Sequence, residues 1–549
     1  MTRLIETPVL VVGAGPVGLC MGLDLGWRSV EGMLIEQTDG RIEASKIGHI
    51  AVRTMEFFRR WGIAQAVREA GFPEDFRMSR VICTDVKTAP LHIEEHATLR
   101  DMPVPVYAPE KKQRCPQHWL QPILQQSLAR YSAIQVKYRH ELQGFEQNAD
   151  YVEARVRDLE SGEDLRVRAQ YMVACDGVGS VVREALGIGM SGTPKLSYSL
   201  GVTVRIPDFM QHCNYGPAER FIFLGPEGTW GNLTTVDGRD QWRLTILGSE
   251  EKLDLKNFDV APWLRRALGR DAKFEVLAVL PRSRREQIAE RFRVGRILRA
   301  GDAAHAMSPT GGMGMNTGMG DAVDLGWKLQ ALIQGWGDER LLESYEIERK
   351  PVALRNAASS TDNFKVLTSP KNCAAILDDT EEGARTREKI SAEFTSAMRA
   401  SYWEPSGIQM GYRYDGSPVV AHDGSPLPQE QHKYVQTARP GARAPHAWLE
   451  EGRSTLDLFG RDFVLMTFSG AKHSDIQALS NAAKNRGVPL QVQTIADTAI
   501  ATLYEVPLVL VRPDGHVAWR GSAVTDASLI IDTVRGAEAR QGVREHATH

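Results

Sequence analysis

One segment constrains this chain more than any other: Val9-Leu10-Val11-Val12 followed by Gly13-Ala14-Gly15-Pro16-Val17-Gly18. The apolar run reads as a buried strand, and the glycines turn it into a helix. In that setting Gly13 permits the tight turn, Gly15 lets the backbone approach a pyrophosphate, and Gly18 lets the helix sit close to the strand. The helix N-terminus then offers unpaired N–H groups and a positive dipole end to the phosphates. Met33-Leu34-Ile35-Glu36 ends a second strand, with Glu36 where the fingerprint places its ribose-binding carboxylate. An α/β dinucleotide-binding fold is expected. The fingerprint alone does not separate FAD from NAD.

The chain has 549 residues, 42% hydrophobic and 25% charged, enough for a large core and for roughly three or four domains. A net charge of -3 gives no pull toward nucleic acid or an anionic membrane. The N-terminus lacks a charged and apolar leader pattern, and no long uncharged apolar run occurs, so a cytoplasmic location is expected. The six cysteines (Cys20, Cys83, Cys115, Cys175, Cys213 and Cys373) are scattered without metal-type spacing and read as reduced thiols.

Two later segments decide the cofactor. One is the turn Cys175-Asp176-Gly177-Val178-Gly179-Ser180-Val181-Val182-Arg183 after a strand. The other is Gly301-Asp302-Ala303-Ala304-His305, then Pro309, Gly311-Gly312-Met313-Gly314-Met315-Asn316 and a long helix. With the first fingerprint, in this order and spacing, they resemble the group A, single-component FAD-dependent aromatic hydroxylases. The phenol and chlorophenol hydroxylase branch is the nearest likeness. Arg53-Thr54-Met55-Glu56, Pro116-Gln117-x-x-Leu120-Gln121 and Ser344-Tyr345-Glu346-x-Glu348-Arg349 add to it, over about residues 5–360.

The resemblance implies an NAD(P)H- and O2-dependent enzyme that hydroxylates a phenolic ring through a flavin C4a-hydroperoxide, first choice ortho to an existing hydroxyl. The alternatives are a tailoring oxygenase for a larger polycyclic phenol and a non-catalytic FAD-binding redox protein. A halogenase is disfavoured because its Trp-x-Trp-x-Ile-Pro segment is absent. No second dinucleotide fold is expected, since these enzymes take hydride from NADH or NADPH without one. The expected fold is a Rossmann-type FAD-binding domain over 1–190 and 285–360, with substrate-domain strands inserted near 80–110. An antiparallel substrate sheet follows over 191–284, a helical and linker region over 361–430, and a thioredoxin-like domain over 440–549.

The candidate cofactor residues are Gly13, Gly15, Gly18, Glu36, Lys46, Gln117, Asp302, Pro309, Gly312, Gly314, Met315 and Asn316. Asp302 ends a strand where it can accept from ribityl hydroxyls. Gly311, Gly312 and Gly314 let bare backbone approach a flat ligand, and the helix they open favours negative charge on the reduced flavin. Lys46 stands where the family often has an arginine, so a point charge replaces a planar fork. Asp176 and Arg183 fit either a cofactor contact or a simple brace of their turn, and His305 reads as structural. His49 lies in the segment that faces substrate in the phenol hydroxylase branch and is the candidate for assisting phenol deprotonation. Phe221, Trp230 and Trp242 are the candidate aromatic lining, with packing between sheet and helices as their simpler role.

His92-Ile93-Glu94-Glu95-His96 matches a zinc-peptidase pattern, but nothing marks the helix that this chemistry requires. Near the C-terminus, Pro440-Gly441-x-x-Ala444-Pro445 and Leu508 to Trp519 look thioredoxin-like. Phe468-Ser469-Gly470-Ala471 stands where redox members carry Cys-x-x-Cys, so disulfide chemistry is ruled out. A packing or homodimerisation module is expected, and a chain ending near 430 is expected still to bind FAD.

Overall fold

The computed structural model of the protein describes residues 3–42, 48–249, 258–401, 406–426 and 433–537. Its first sheet is built around Arg3–Val12, which pairs in parallel with Asp164–Ala174 on one side and Gly32–Glu36 on the other. Ile297–Arg299 and Ile134–Tyr138 extend it outward, also in parallel. Both faces are covered. Val9 and Val11 join the core beneath the Pro16–Trp27 helix, while Leu10 and Val12 pack against the Val152–Asp158 meander. Burial on both sides explains the continuous apolar run.

The second sheet has eight strands, in the order His305–Ala306, Glu275–Ala289, Met190–Arg205, Gln241–Ser249, Gly228–Thr235, Arg220–Gly225, Arg80–Cys83 and His92–Glu94. Strand alternation gives it two unlike faces. Leu200, Val202, Phe221, Trp242 and Leu244 pack with Phe209 and the Ala261–Leu268 helix in an apolar core. The other face carries Ser199, Thr203, Thr234, Arg243 and Arg282, with Thr203 opposite Arg243 and Ser199 opposite Arg282. His92–Glu94 is a strand paired to Arg80–Cys83, so His92 and His96 never share a helix face.

The C-terminal sheet orders Leu490–Thr494, Phe463–Thr467, Leu508–Val511 and Val517–Gly521, the first pair parallel and the others antiparallel. With helices His473–Asn485, Thr498–Tyr504 and Ala527–Val534, this is a thioredoxin-like arrangement. It is not an appendage. Trp327, Trp336 and Leu341 share one core with Phe463, Leu465, Leu508 and Leu510. Trp327 meets Phe463 edge-on, ring centroids 5.9 Å apart.

Beside that contact Arg512, fully buried, donates to Glu348 Oε1 at 2.5 Å and Oε2 at 2.9 Å, to Asp324 at 3.1 Å and to Asp514 at 2.7 Å. Lys328 donates to Asp324 and Glu348 at 2.8 and 2.6 Å. A chain ending near 430, expected still to bind FAD, would lose this packing and this arginine. Such a cut strips the cover from two tryptophans and leaves buried carboxylates without their arginine.

Candidate active site

The three glycines of the first turn have separate geometric reasons. Gly13 sits at φ +98°, its N–H donates to Ile35 O at 2.8 Å, and a Cβ there would lie 2.6 Å from Cys175 O. A Cβ on Gly18 would fall 1.8 Å from Gly13 O, whereas one on Gly15 would meet no protein atom within 4 Å. The turn needs Gly13 and the helix packing needs Gly18, while Gly15 faces open space at an uncapped helix N-terminus. That combination fits a pyrophosphate. Glu36 reaches across the same turn, accepting from Ala14 N at 2.8 Å and from Thr38 N and Oγ1 at 2.9 and 2.8 Å. Its carboxylate is thereby aimed at the edge of the turn.

Asp176 passes beneath Gly13, whose added Cβ would lie 3.1 Å from Asp176 Cα. Its Oδ2 caps the short helix by accepting from Val182 N at 3.1 Å, and its buried Oδ1 has no partner among the described residues. Arg183 turns away to Glu184 at 2.9 Å, so the two do not brace each other.

Asp302 lies in the turn Gly301–Ala303, which Asp321 fixes from below. Asp321 Oδ2 accepts from Gly301 N at 3.1 Å and stands 2.7 Å from His305 Nε2, and its Oδ1 accepts from Arg349 at 2.8 Å. Buried His305 is a strut, as its sequence context suggested. Gly314 opens toward Asp302: an added Cβ would meet only Met307 at 3.6 Å and Asp302 Oδ1 at 3.8 Å.

Gly312 differs from the expectation. It caps the Met313–Ile333 helix at φ +67°, and a Cβ there would lie 3.1 Å from His49 Cβ. Its lack of a side chain serves a left-handed cap and a close approach by His49.

Asn316 differs too. Its Oδ1 accepts from Ala51 N and Thr54 Oγ1 at 3.0 and 2.7 Å, and its Nδ2 donates to His49 O and Gly312 O at 3.0 and 2.7 Å. The amide is fully used in stitching the helix start to the His49 segment, which makes Asn316 a positioning residue. Met315 is half-buried against the main core, and Pro309 is exposed on the loop before the cap. Gln117 starts the Gln117–Leu128 helix, half-exposed. Lys46 lies outside the described residues.

His49 pairs through its backbone with Arg114 and presents a half-buried ring beside Gly312. Burial first, then neighbouring Lys112, pushes its pKa down to about 3, with Arg114 and Arg80 adding and Glu219 opposing. The imidazole is neutral at physiological pH. Glu219 is held to Arg114 at 3.1 Å. Against the upward push of burial, Arg114 and Arg80 keep its pKa down at about 2.

The expected aromatic lining is not there. Phe221, Trp230 and Trp242 all lie in the core on the far side of the sheet. Trp230 stacks on Phe223 at 5.1 Å, and Trp242 meets Phe209 at 3.9 Å. Alternation puts Trp242 and Arg243 on opposite faces, and the face toward His49 belongs to the arginine. Arg243, Arg282, Arg284 and Arg114 were not singled out from sequence. Their signal was Arg282-Ser283-Arg284, two cations two apart on one strand face. Arg284 donates to Thr310 Oγ1 at 3.0 Å and tethers the sheet to the loop before Gly311.

Residues 6–360 match the family of FAD binding domains, and residues 437–537 match the aromatic-ring hydroxylase C-terminal domain. The chain belongs to the FAD-binding aromatic-ring hydroxylases. The hydroxylase is 30% identical to the tetracenomycin B2 monooxygenase-dioxygenase of Streptomyces olivaceus, over 96% of this chain and 98% of that one. It is 29% identical to the 2,4-dichlorophenol 6-monooxygenase of Cupriavidus pinatubonensis, over 100% of this chain and 99% of that one. Among solved structures it is similar to RebC soaked with chromopyrrolic acid and holding 7-carboxy-K252c. That match has a TM-score of 0.91 and 37% identity over 98% of this chain and 100% of that one. The hydroxylase is thus a flavin-dependent aromatic monooxygenase. No helix among its described residues is long and apolar enough to cross a membrane.

Proposed function

We propose that this hydroxylase acts on a polycyclic phenol, with NAD(P)H as reductant and dioxygen as co-substrate. The observation that carries the reading is the full-length likeness to RebC at a TM-score of 0.91, set among relatives that are mostly polyketide and polycyclic tailoring hydroxylases. The one-ring phenol expected first from the sequence is supported less well. Its specific support is the dichlorophenol monooxygenase at 29% identity.

FAD, when bound, would supply the redox chemistry that couples NAD(P)H and dioxygen to hydroxylation of the ring. Gly13, Gly15 and Glu36 would hold its pyrophosphate and ribose end, and Asp302 with the helix start at Gly314 its flavin end. The first N–H groups of that helix have no intrahelical partner and favour negative charge opposite them.

The substrate lies between the glycine loop and the polar face of the second sheet. Neutral His49 accepts a hydrogen bond from the phenol, while Lys112, Arg114 and Arg80 lower the cost of negative charge on its oxygen. The more the oxygen carries that charge, the more nucleophilic the ring carbon beside it. With its pKa near 3 the imidazole does not keep the proton, which passes on to solvent. Arg284 holds the loop against the sheet and limits the entry of water.

The test is NAD(P)H consumption by holoenzyme over a panel of one-ring, three-ring and four-ring phenols, with oxygenated product identified by mass. Three- or four-ring phenols should stimulate oxidation and gain one oxygen. Coupled turnover of one-ring phenols with none from the larger ones would overturn the reading.

A further inference from the structure

The polar face of the substrate sheet holds more cation than the site's phenol chemistry requires. Arg243 is 4% exposed, and among the described residues its guanidinium reaches only the Thr203 hydroxyl, at 3.3 and 3.4 Å. A charged fork on one neutral hydroxyl is a poor exchange for its hydration, because a buried charge is costly unless it is paired.

The nearest charges make matters worse. Burial, then Arg282 and Arg114, lowers the pKa of Arg243 to about 9, and burial lowers that of Arg282. Neighbouring Arg114 already has its acid: Glu219 lies 3.1 Å from Arg114 and 3.7 Å from Arg80.

The strand register sets the shape of the gap. Met190–Arg205 runs between the strands of Arg243 and Arg282, and Gly201 lies on it between their partners Thr203 and Ser199. An added Cβ at Gly201 would sit 3.7 Å from Arg243 Cδ and 3.6 Å from Leu280 O, so the strand between the two arginines puts no side chain of its own there.

We infer that Arg243 and Arg282 form a carboxylate-binding subsite, so that the polycyclic phenol taken by this enzyme is also a ring-borne acid. The inference rests on the polycyclic reading above and narrows it. A planar guanidinium matches a carboxylate with two parallel hydrogen bonds, which a phenolate oxygen cannot accept in that form. The phenol end is already served by His49, Lys112 and Arg114, and Arg114 acts on both His49 and Arg243, which places the two ends in one electrostatic neighbourhood. The carboxylate fixes which end of the ring system faces the flavin.

The experiment uses holoenzyme and hydroxyanthraquinones in matched sets: the ring carboxylic acid, its methyl ester and the parent without the carboxyl. Binding is read from the change in flavin absorbance. Wild type should bind at least one acid about tenfold or more tightly than its ester. Arg243→Gln should weaken that acid by roughly ten- to a hundredfold, the range for a lost charge-assisted hydrogen bond, and leave the ester unchanged. Arg243→Lys should fall between. Arg282→Gln, at a half-buried position, repeats the test without emptying a buried site.

Equal binding of acid and ester across every set would overturn the inference. So would equal weakening of both by Arg243→Gln at unchanged FAD content, or a raised KM for NAD(P)H with acid binding intact. Turnover of the esters and parents reports on the polycyclic reading separately. Esters that turn over without any preference for acid refute the subsite alone.

Discussion

Replacing Arg512 with methionine tests whether the C-terminal domain and the flavin domain are one folding unit. Arg512 is fully buried and makes five hydrogen bonds to three carboxylates: Glu348, Asp324 and Asp514. Its guanidinium also lies 5.0 Å over the Trp327 ring. Methionine keeps most of the volume but leaves Asp324 and Glu348 to Lys328 and Ser417, and Asp514 to His516. Breaking a buried pair from one side costs about 3–5 kcal/mol. That is a large part of a total of about 5–15 kcal/mol, and it shifts the folding equilibrium by roughly a hundred- to a few thousandfold.

The assay is urea unfolding of holoenzyme, followed in parallel by tryptophan emission and flavin release. Both signals should move together to lower urea in the variant, and Glu348→Gln in the same chain should restore part of the loss by removing one orphaned charge. A loss below about 1 kcal/mol, the scale of an exposed pair, would refute the reasoning. So would a C-terminal transition that leaves flavin release where it was.

Gly15→Val should give a folded protein of poor FAD content, because its side chain enters open space, whereas Gly18→Ala should fail to fold, with its Cβ 1.8 Å from Gly13 O; circular dichroism and flavin absorbance separate the two. Gly314→Val should lower FAD occupancy or the ratio of hydroxylated product to NAD(P)H consumed. Gly312→Ala should cost about 1 kcal/mol of stability from its left-handed cap and displace His49 without excluding FAD. His49 has a folded pKa of about 3, below its ordinary 6.5, so its contribution to stability is present above pH 6.5 and lost as pH falls toward 3. His49→Gln should flatten that part of a thermal-melt profile. The rate profile should show no limb near 6.5 in wild type. Such a limb, abolished by His49→Gln, would make His49 an ordinary base.

The pyrophosphate turn was legible because its three glycines obey local rules: a positive φ, a close contact and an open approach. His305 and the C-terminal sheet were legible for similar reasons of spacing and strand length. Three other features were not. Both faces of the second sheet are covered, so alternation in Gln241-Trp242-Arg243-Leu244 marked two faces without saying which is packed as core, and Phe221, Trp230 and Trp242 lie in that core. The contacts of Gly312 and Asn316 with the His49 segment were hidden because tertiary packing brings that segment in from far away in the chain. The union of the C-terminal domain with the flavin helix was hidden because Trp327 and Phe463 are far apart in sequence, and Arg512 gives no sign that its partners are Asp324 and Glu348.

The Met313–Ile333 helix begins at the glycine loop and ends with Trp327 inside the C-terminal core. On the ribosome, that helix emerges long before the strands that cover it. A nascent chain containing only the flavin and substrate regions carries a bare tryptophan face and a set of unpaired buried charges, a surface that chaperones bind. The partners of Trp327 and Glu348, Phe463 and Arg512, come from the last part of the chain to be made.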